Sequence, residues 1–339
     1  GTRSPFGAVP NTFNSDYVSG GSSSGSASVM ARGLVCFSLG TDTAGSGRVP
    51  AGFNNIVGMK PTPGIVSIEG VLPACKTLDC LSIFAGTATD AATVLSVMQS
   101  TARDLAHEPQ FHQPRPVVSN FPAALRLGIP VAPKFMGNTE YEQAYRVAVD
   151  SARKMGASIT EIDFTELDRI AGLLYNGPWV AERYVTIERL LASNPDAIDP
   201  TVRRVVGLAE NFSAADTFKA LYELKELAIN AHSIWAECDA LLVPTAPTHP
   251  TLAQVAAEPV LRNSELGTYT NFVNLLGMSA IAVPAGLTSS NMPFGVTFIA
   301  PGGYDQALLK LGEQWQSTQT LAPGAPEQTH HSTADHIQI

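Results

Sequence analysis

Residues 20–62 read GGSSSGSASVMARGLVCFSLGTDTAGSGRVPAGFNNIVGMKPT, two serine-bearing glycine loops (20–26 and 40–48) joined by a short apolar run. No histidine precedes His107. Serine is a weak nucleophile until a base takes its proton, and the usual base is a histidine oriented by a carboxylate. Two hydroxyl-rich turns with no histidine nearby point instead to a relay of hydroxyls ending on a neutral lysine, the Ser-Lys variant of serine catalysis. Residues 27–32 read as the start of a helix, 35–39 as a strand, and 41–46 as the turn leaving its end. A turn after a rigid strand exposes a hydroxyl while the scaffold holds it.

Outward from this stretch, residues 1–100 are dense in glycine and serine, with apolar runs at 33–39 and 81–85. From about residue 125 the pattern changes. Residues 125–129 read as a strand, 140–155 as a helix and 157–162 as the next strand, a βαβ unit that implies an α/β fold with a partly parallel sheet under helices. Ser213 reads as the N-cap of a long helix to about Glu237, and 239–243 as a strand stopped by Pro244. Apolar strands at 280–283 and 295–299 end at Pro284 and Pro301. No repeat of fixed period occurs. Residues 1–320 are taken as one domain and 321–339 as a linker or disordered tail, since that stretch has little to bury. The tail's His330, His331 and His336 could hold a metal only loosely, and no metal site is expected.

With 339 residues and 45% hydrophobic content, the chain can bury a sizeable core. A formal net charge of −9, with basic residues adjacent only in pairs such as Arg153-Lys154 and Arg203-Arg204, argues against nucleic-acid or anionic-membrane binding. An acidic protein acting on an anion needs a locally placed arginine. Cys36, Cys75, Cys80 and Cys238 form no CxxC pair and read as buried thiols in a reducing cytoplasm. Neither G-x-x-x-x-G-K-[ST] nor G-x-G-x-x-G occurs, which speaks against a nucleotide-binding module. Residues 21–25 do satisfy G-x-S-x-G, which would make Ser23 the nucleophile with His232 or His249 as a distant base. Residues 14–19 make a poor central strand for such an elbow.

The 20–62 stretch resembles the core signature of the amidase signature family. That resemblance implies a mixed central β-sheet covered by helices on both faces, here lacking its N-terminal elements. It also implies Ser46 as the acylated nucleophile, Ser22 on a cis peptide bond as the proton shuttle, and a lysine preceding both as the base. Ser23 would hydrogen-bond within the cluster. The N–H groups of Thr43, Ala44, Gly45 and Ser46 would form the oxyanion hole. Lys60, Lys76, Lys134, Lys154, Lys219, Lys225 and Lys310 all follow the serines, and the opening GTRSPFGAVPN resembles mid-domain family sequence. The expectation is therefore a chain without the family's N-terminal part and its lysine, inactive on its own. Lys60, in GMKPT, matches a segment where the family's lysine is structural. Asp42 and Arg48 flank the nucleophile turn; Arg48 could stabilise substrate or oxyanion, but a buried charge there needs a partner, which favours a clamp between the two.

Substrate choice must come from elsewhere. Residues 172–184, GLLYNGPWVAERY, resemble the allophanate hydrolase branch, in which a tyrosine and an arginine spaced like Tyr175 and Arg183 grip the substrate carboxylate. Residues 70–85 and 263–286 agree, and the resemblance runs over about residues 1–315. A guanidinium fork can take a small planar carboxylate bidentately while a tyrosine hydroxyl orients it. The plainer alternatives are a solvated Arg183 paired with Glu182 or Glu188, and a Tyr175 packed at a helix surface. Gly177-Pro178 would interrupt the helix between them. The resemblance further implies hydrolysis of allophanate to ammonia and carbon dioxide in urea degradation, without cofactor, in a cytoplasmic homodimer supplied by a biotin-dependent urea carboxylase. A broader amidase, the glutaminase component of a tRNA-dependent amidotransferase, or an inactive fragment are the alternatives.

Overall fold

Strand residues alternate between two buried layers, and this alternation sets the architecture. In β6 (Ala240–Pro244), Ala240 and Leu242 join one apolar cluster while Leu241 and Val243 join another. The structure, a computed structural model, describes residues 2, 4, 6–99 and 115–326. Its other strands are β1 (Phe37–Asp42), β2 (Val57–Lys60), β3 (Cys80–Ala85), β4 (Arg126–Pro130), β5 (Ser158–Ile162), β7 (Ser279–Leu287) and β8 (Pro293–Ala300). They form one sheet in the order β1-β3-β2-β7-β8-β6-β4-β5. Only the β4–β5 and β4–β6 pairs are parallel, so the sheet is mixed and mostly antiparallel.

The helices that bear on the site are α1 (Ser24–Ala31), α2 (Val49–Phe53), α3 (Ala88–Met98), α4 (Thr139–Lys154), α5 (Thr165–Asn176), α6 (Val180–Ser193), α7 (Ala214–His232), α8 (Asn271–Leu275) and α9 (Asp305–Ser317). On one face, α3, α4 and α9 pack through Leu95, Tyr145 and Trp315 onto Leu127, Ile281 and Phe298. On the other, α5, α7 and α8 bring Leu174, Leu227 and Phe272 onto Leu241, Ala280 and Ile299. Full burial of each such side chain contributes about 1.5–3 kcal/mol, so both layers hold the sheet.

The expected βαβ unit is β4–α4–β5, with Asn138 accepting the Tyr141 N–H as N-cap. Ser213 caps α7 through a capping box, but that helix ends at His232 and a separate short helix spans Ile234–Glu237. Two strands outrun their expected ends. β1 runs on to Asp42 because Thr41 and Asp42 pair with Leu81 and Cys80, so the turn begins at Thr43. β7 passes through Pro284 to Leu287 with a register shift that accommodates the missing N–H. The stretch read as a tail begins docked: Asn55 Nδ2 donates to the carbonyls of Ala322 (2.8 Å) and Gly324 (2.9 Å), and the Ala325 N–H donates to Ala31 O at 2.8 Å. Residues 327–339, including the three tail histidines, lie outside the described residues.

Candidate active site

The serine loops meet where β1 ends. Ser23 Oγ accepts from the Thr41 N–H and donates to Thr41 O, both at 3.1 Å, tying the first loop to the strand that delivers the second. Gly40 permits this closure, because a Cβ there would lie 2.6 Å from Ser23 Oγ. The Gly21–Ser22 peptide bond is cis, at the position the resemblance assigned. Ser22 is exposed and Ser46 half-buried, and among the described residues neither hydroxyl has a hydrogen-bond partner.

Beneath the second loop, wholly buried Asp42 and Arg48 form a bidentate pair. Arg48 Nε donates to Asp42 Oδ2 and Nη2 to Oδ1, each at 2.9 Å. Nη2 also reaches Thr270 O (3.1 Å) and Asn274 Oδ1 (3.0 Å). From the same segment, Asn274 Nδ2 donates to Asp42 O (2.7 Å) and Thr270 Oγ1 to Ala44 O (2.6 Å). Burial pushes the Asp42 carboxyl up, but the Arg48 charge and hydrogen bonds, with Lys60 and the Gly45 N–H, outweigh it and hold the pKa below its ordinary value.

This pairing corrects one part of the expected oxyanion hole. The Gly45 N–H is donated to Asp42 Oδ1 at 2.9 Å and the Gly47 N–H to Oδ2 at 3.1 Å, so Gly45 is committed inward. Thr43, Ala44 and Ser46 keep main-chain N–H groups without a partner among the described residues. Lys60 is wholly buried, and its Nζ donates to Pro61 O (2.9 Å) and Met278 O (2.7 Å). The reading with Ser23 as nucleophile loses its parts: the Ser23 hydroxyl is engaged with Thr41, while His249 stacks on Phe53 and bonds Val18 O through Nε2 at 2.7 Å. Burial pushes the His249 pKa down to about 4.

The second group of candidates lies across α5 and α6. At Gly177 a Cβ would stand 2.5 Å from Leu173 O, so glycine permits the break between the two helices. Across that break the Arg183 guanidinium carbon lies 4.7 Å from the centroid of the Tyr175 ring, a cation–π contact. Arg183 makes no ion pair with Glu182 or Glu188 among the described residues; Glu182 instead accepts from the Thr77 N–H (3.1 Å) and Oγ1 (2.6 Å). Arg183 Nη1 is buried and unpartnered. The group neighbours Cys75, whose thiol burial pushes up to about 12 while the Arg183 charge pulls it down. Cys75 and Trp179 belong to the apolar cluster on which Ala44 of the second serine loop packs, so both candidate groups border the same cluster.

Nothing in the sequence singles out Asp79, Thr270 and Asn274. Thr, Asn and Asp satisfy buried turns in any fold, and the only signal is their place within residues 70–85 and 263–286. Cys75, Cys80 and Cys238 are buried as expected, but Cys36, just before β1, is exposed. Among the described residues there is no metal-binding cluster of His, Cys, Asp and Glu, and no helix long and apolar enough to cross a membrane.

Serine turns seated on a mixed sheet over a buried Asp–Arg pair define an amidase-type site. Residues 1–309 match the Amidase family, and the chain belongs to it. The urea amidolyase of Lachancea kluyveri is 45% identical over 319 residues, 93% of this chain and 17% of that protein. The urea amidolyase of Saccharomyces cerevisiae is likewise 45% identical, over 93% of this chain and 17% of that protein. Among solved structures, an allophanate hydrolase of Kluyveromyces lactis superposes with a TM-score of 0.90 at 46% identity, over 94% of this chain and 52% of the other. The chain thus spans under a fifth of its urea amidolyase relatives and about half of the K. lactis enzyme.

Proposed function

We propose that this chain carries the nucleophile and the substrate-binding groups of a site that hydrolyses the terminal amide of allophanate. Ser46 Oγ attacks the amide carbonyl, and the oxyanion is received by the N–H groups of Thr43, Ala44 and Ser46. Ser22 relays the Ser46 proton to a base other than Lys60, whose Nζ is committed to two carbonyls. As the C–N bond breaks, the relay returns a proton to the leaving nitrogen and ammonia departs. Water then cleaves the acyl-enzyme, and the released N-carboxycarbamate decomposes to carbon dioxide and a second ammonia. Ser23, Asp42 and Arg48 support the turn. No cofactor enters these steps. The substrate would be supplied by carboxylation of urea, and a cytoplasmic homodimer completes the proposal.

The observation that carries this reading is Arg183, stacked on Tyr175 and with no hydrogen-bond partner for Nη1 among the described residues. Similarity to urea amidolyase supports it. In the full-length protein, Arg183→Ala should remove a charge-assisted contact worth roughly 1.5–3 kcal/mol and lower kcat/KM for allophanate by about one to two orders of magnitude. Biuret, which carries a neutral carboxamide in place of the carboxylate, should be barely affected, and Tyr175→Phe should lose less. Equal losses on both substrates would mean that Arg183 holds the fold, and a wild-type preference for glutamine would favour the amidotransferase reading.

A further inference from the structure

The acid next to Arg183 in sequence does not neutralise it. Glu182 turns to residues 74–79, which connect the nucleophile turn to α6. This segment is braced from within: the Asp79 carboxylate accepts the Ala74 N–H at 2.8 Å and the Cys75 N–H at 3.1 Å, while the Leu78 and Asp79 N–H groups donate to Cys75 O at 2.8 and 2.9 Å. At one end Thr43 Oγ1 donates to Asp79, and Asn274 Nδ2 joins Leu78 O (3.1 Å) to Asp42 O (2.7 Å). At the other, Thr77 donates twice to Glu182 and Cys75 Sγ lies 3.6 Å from Trp179 O.

We infer that residues 74–79 are a spacer fixing the separation between the Ser46 turn and the Arg183 clamp, with Thr77 and Glu182 as positioning residues that select a carboxylate-bearing amide. The inference rests on the function proposed above. A substrate held by its carboxylate presents its carbonyl to Ser46 only if that separation is right, and a misplacement of about 1 Å can cost on the order of a hundredfold in rate. A neutral reagent that needs only the nucleophile is indifferent to it. Charge makes the opposite forecast: removing Glu182 beside Arg183 would by itself strengthen anion binding.

The test uses the full-length protein and two readouts, kcat and KM for allophanate and the rate of Ser46 labelling by a neutral fluorophosphonate. Glu182→Ala should lower allophanate kcat/KM by about tenfold or more with labelling unchanged. Glu182→Gln, which keeps an acceptor for Thr77, should recover most of the loss. Thr77→Val, which keeps the main-chain bond, should show a smaller loss of the same kind, and it decides the matter if Glu182→Ala does not fold. Unchanged or improved allophanate turnover in Glu182→Ala, or a parallel fall in labelling, would overturn the spacer. If Arg183→Ala discriminates allophanate from biuret while Thr77→Val and Glu182→Ala have no selective effect, the spacer alone fails; if Arg183→Ala does not discriminate, the functional reading fails first.

Discussion

His249 gives the fold a pH dependence whose sign and size follow from its surroundings. The ring is buried, stacked on Phe53 at 3.7 Å between centroids and flanked by Tyr17 and Tyr141. Nε2 meets the carbonyl of Val18, so Nε2 carries the proton of the neutral ring, and Nδ1 is buried without a partner. Burial opposes a second proton more strongly than the Val18 carbonyl favours it, and the pKa falls to about 4. In the unfolded chain histidine titrates near 6.5. Below that pH the unfolded state takes up a proton that the native state refuses, so stability contributed by this group is complete above about 6.5 and declines as pH falls toward 4. With one pKa unit equal to about 1.4 kcal/mol, the loss between pH 7.5 and 5 should be about 2 kcal/mol. Urea denaturation at closely spaced pH values would measure it. His249→Phe keeps an aromatic ring against Phe53 and removes the titration, so it should be less stable at pH 7.5 but lack this slope. An identical pH slope in variant and parent would refute the assignment.

Two further predictions concern the serine loops. Arg48→Met leaves the Asp42 carboxylate buried without its cation and should destabilise the fold by about 3–5 kcal/mol in chemical denaturation. Ser23→Ala removes the hydroxyl that satisfies Thr41 on both sides and should cost about 1–3 kcal/mol while leaving covalent labelling of Ser46 intact; loss of labelling would restore Ser23 as nucleophile.

Local chemistry made much of this architecture legible. The helix over Thr139–Lys154 combines apolar spacing with an Asn cap, and its flanking strands form the parallel pair that such a unit requires. The antiparallel majority of the sheet was not legible, because β2 lies between β3 and β7, a strand more than two hundred residues later, and no periodicity records such a partner. The same limit governs the site. Ser22, Ser46, Asp42 and Arg48 lie within one continuous motif, but the groups that lock Arg48 and Ala44, Asn274 and Thr270, come from α8 and the residue before it. The oxyanion donors show the same limit: the motif offers every N–H of the loop, but Asp42, folded back beneath it, already holds that of Gly45.

The docking of residues 322–325 has a mechanical consequence. Asn55, in the left-handed conformation at φ 57°, grips this segment from behind α2, and Ala31 at the end of α1 accepts the next link. α1 begins two residues after Ser22. Force applied at Pro326 would therefore be borne by these few hydrogen bonds and passed through one short helix to the serine loop. A cut at Thr320 would strip Asn55 of both carbonyls and release that anchor.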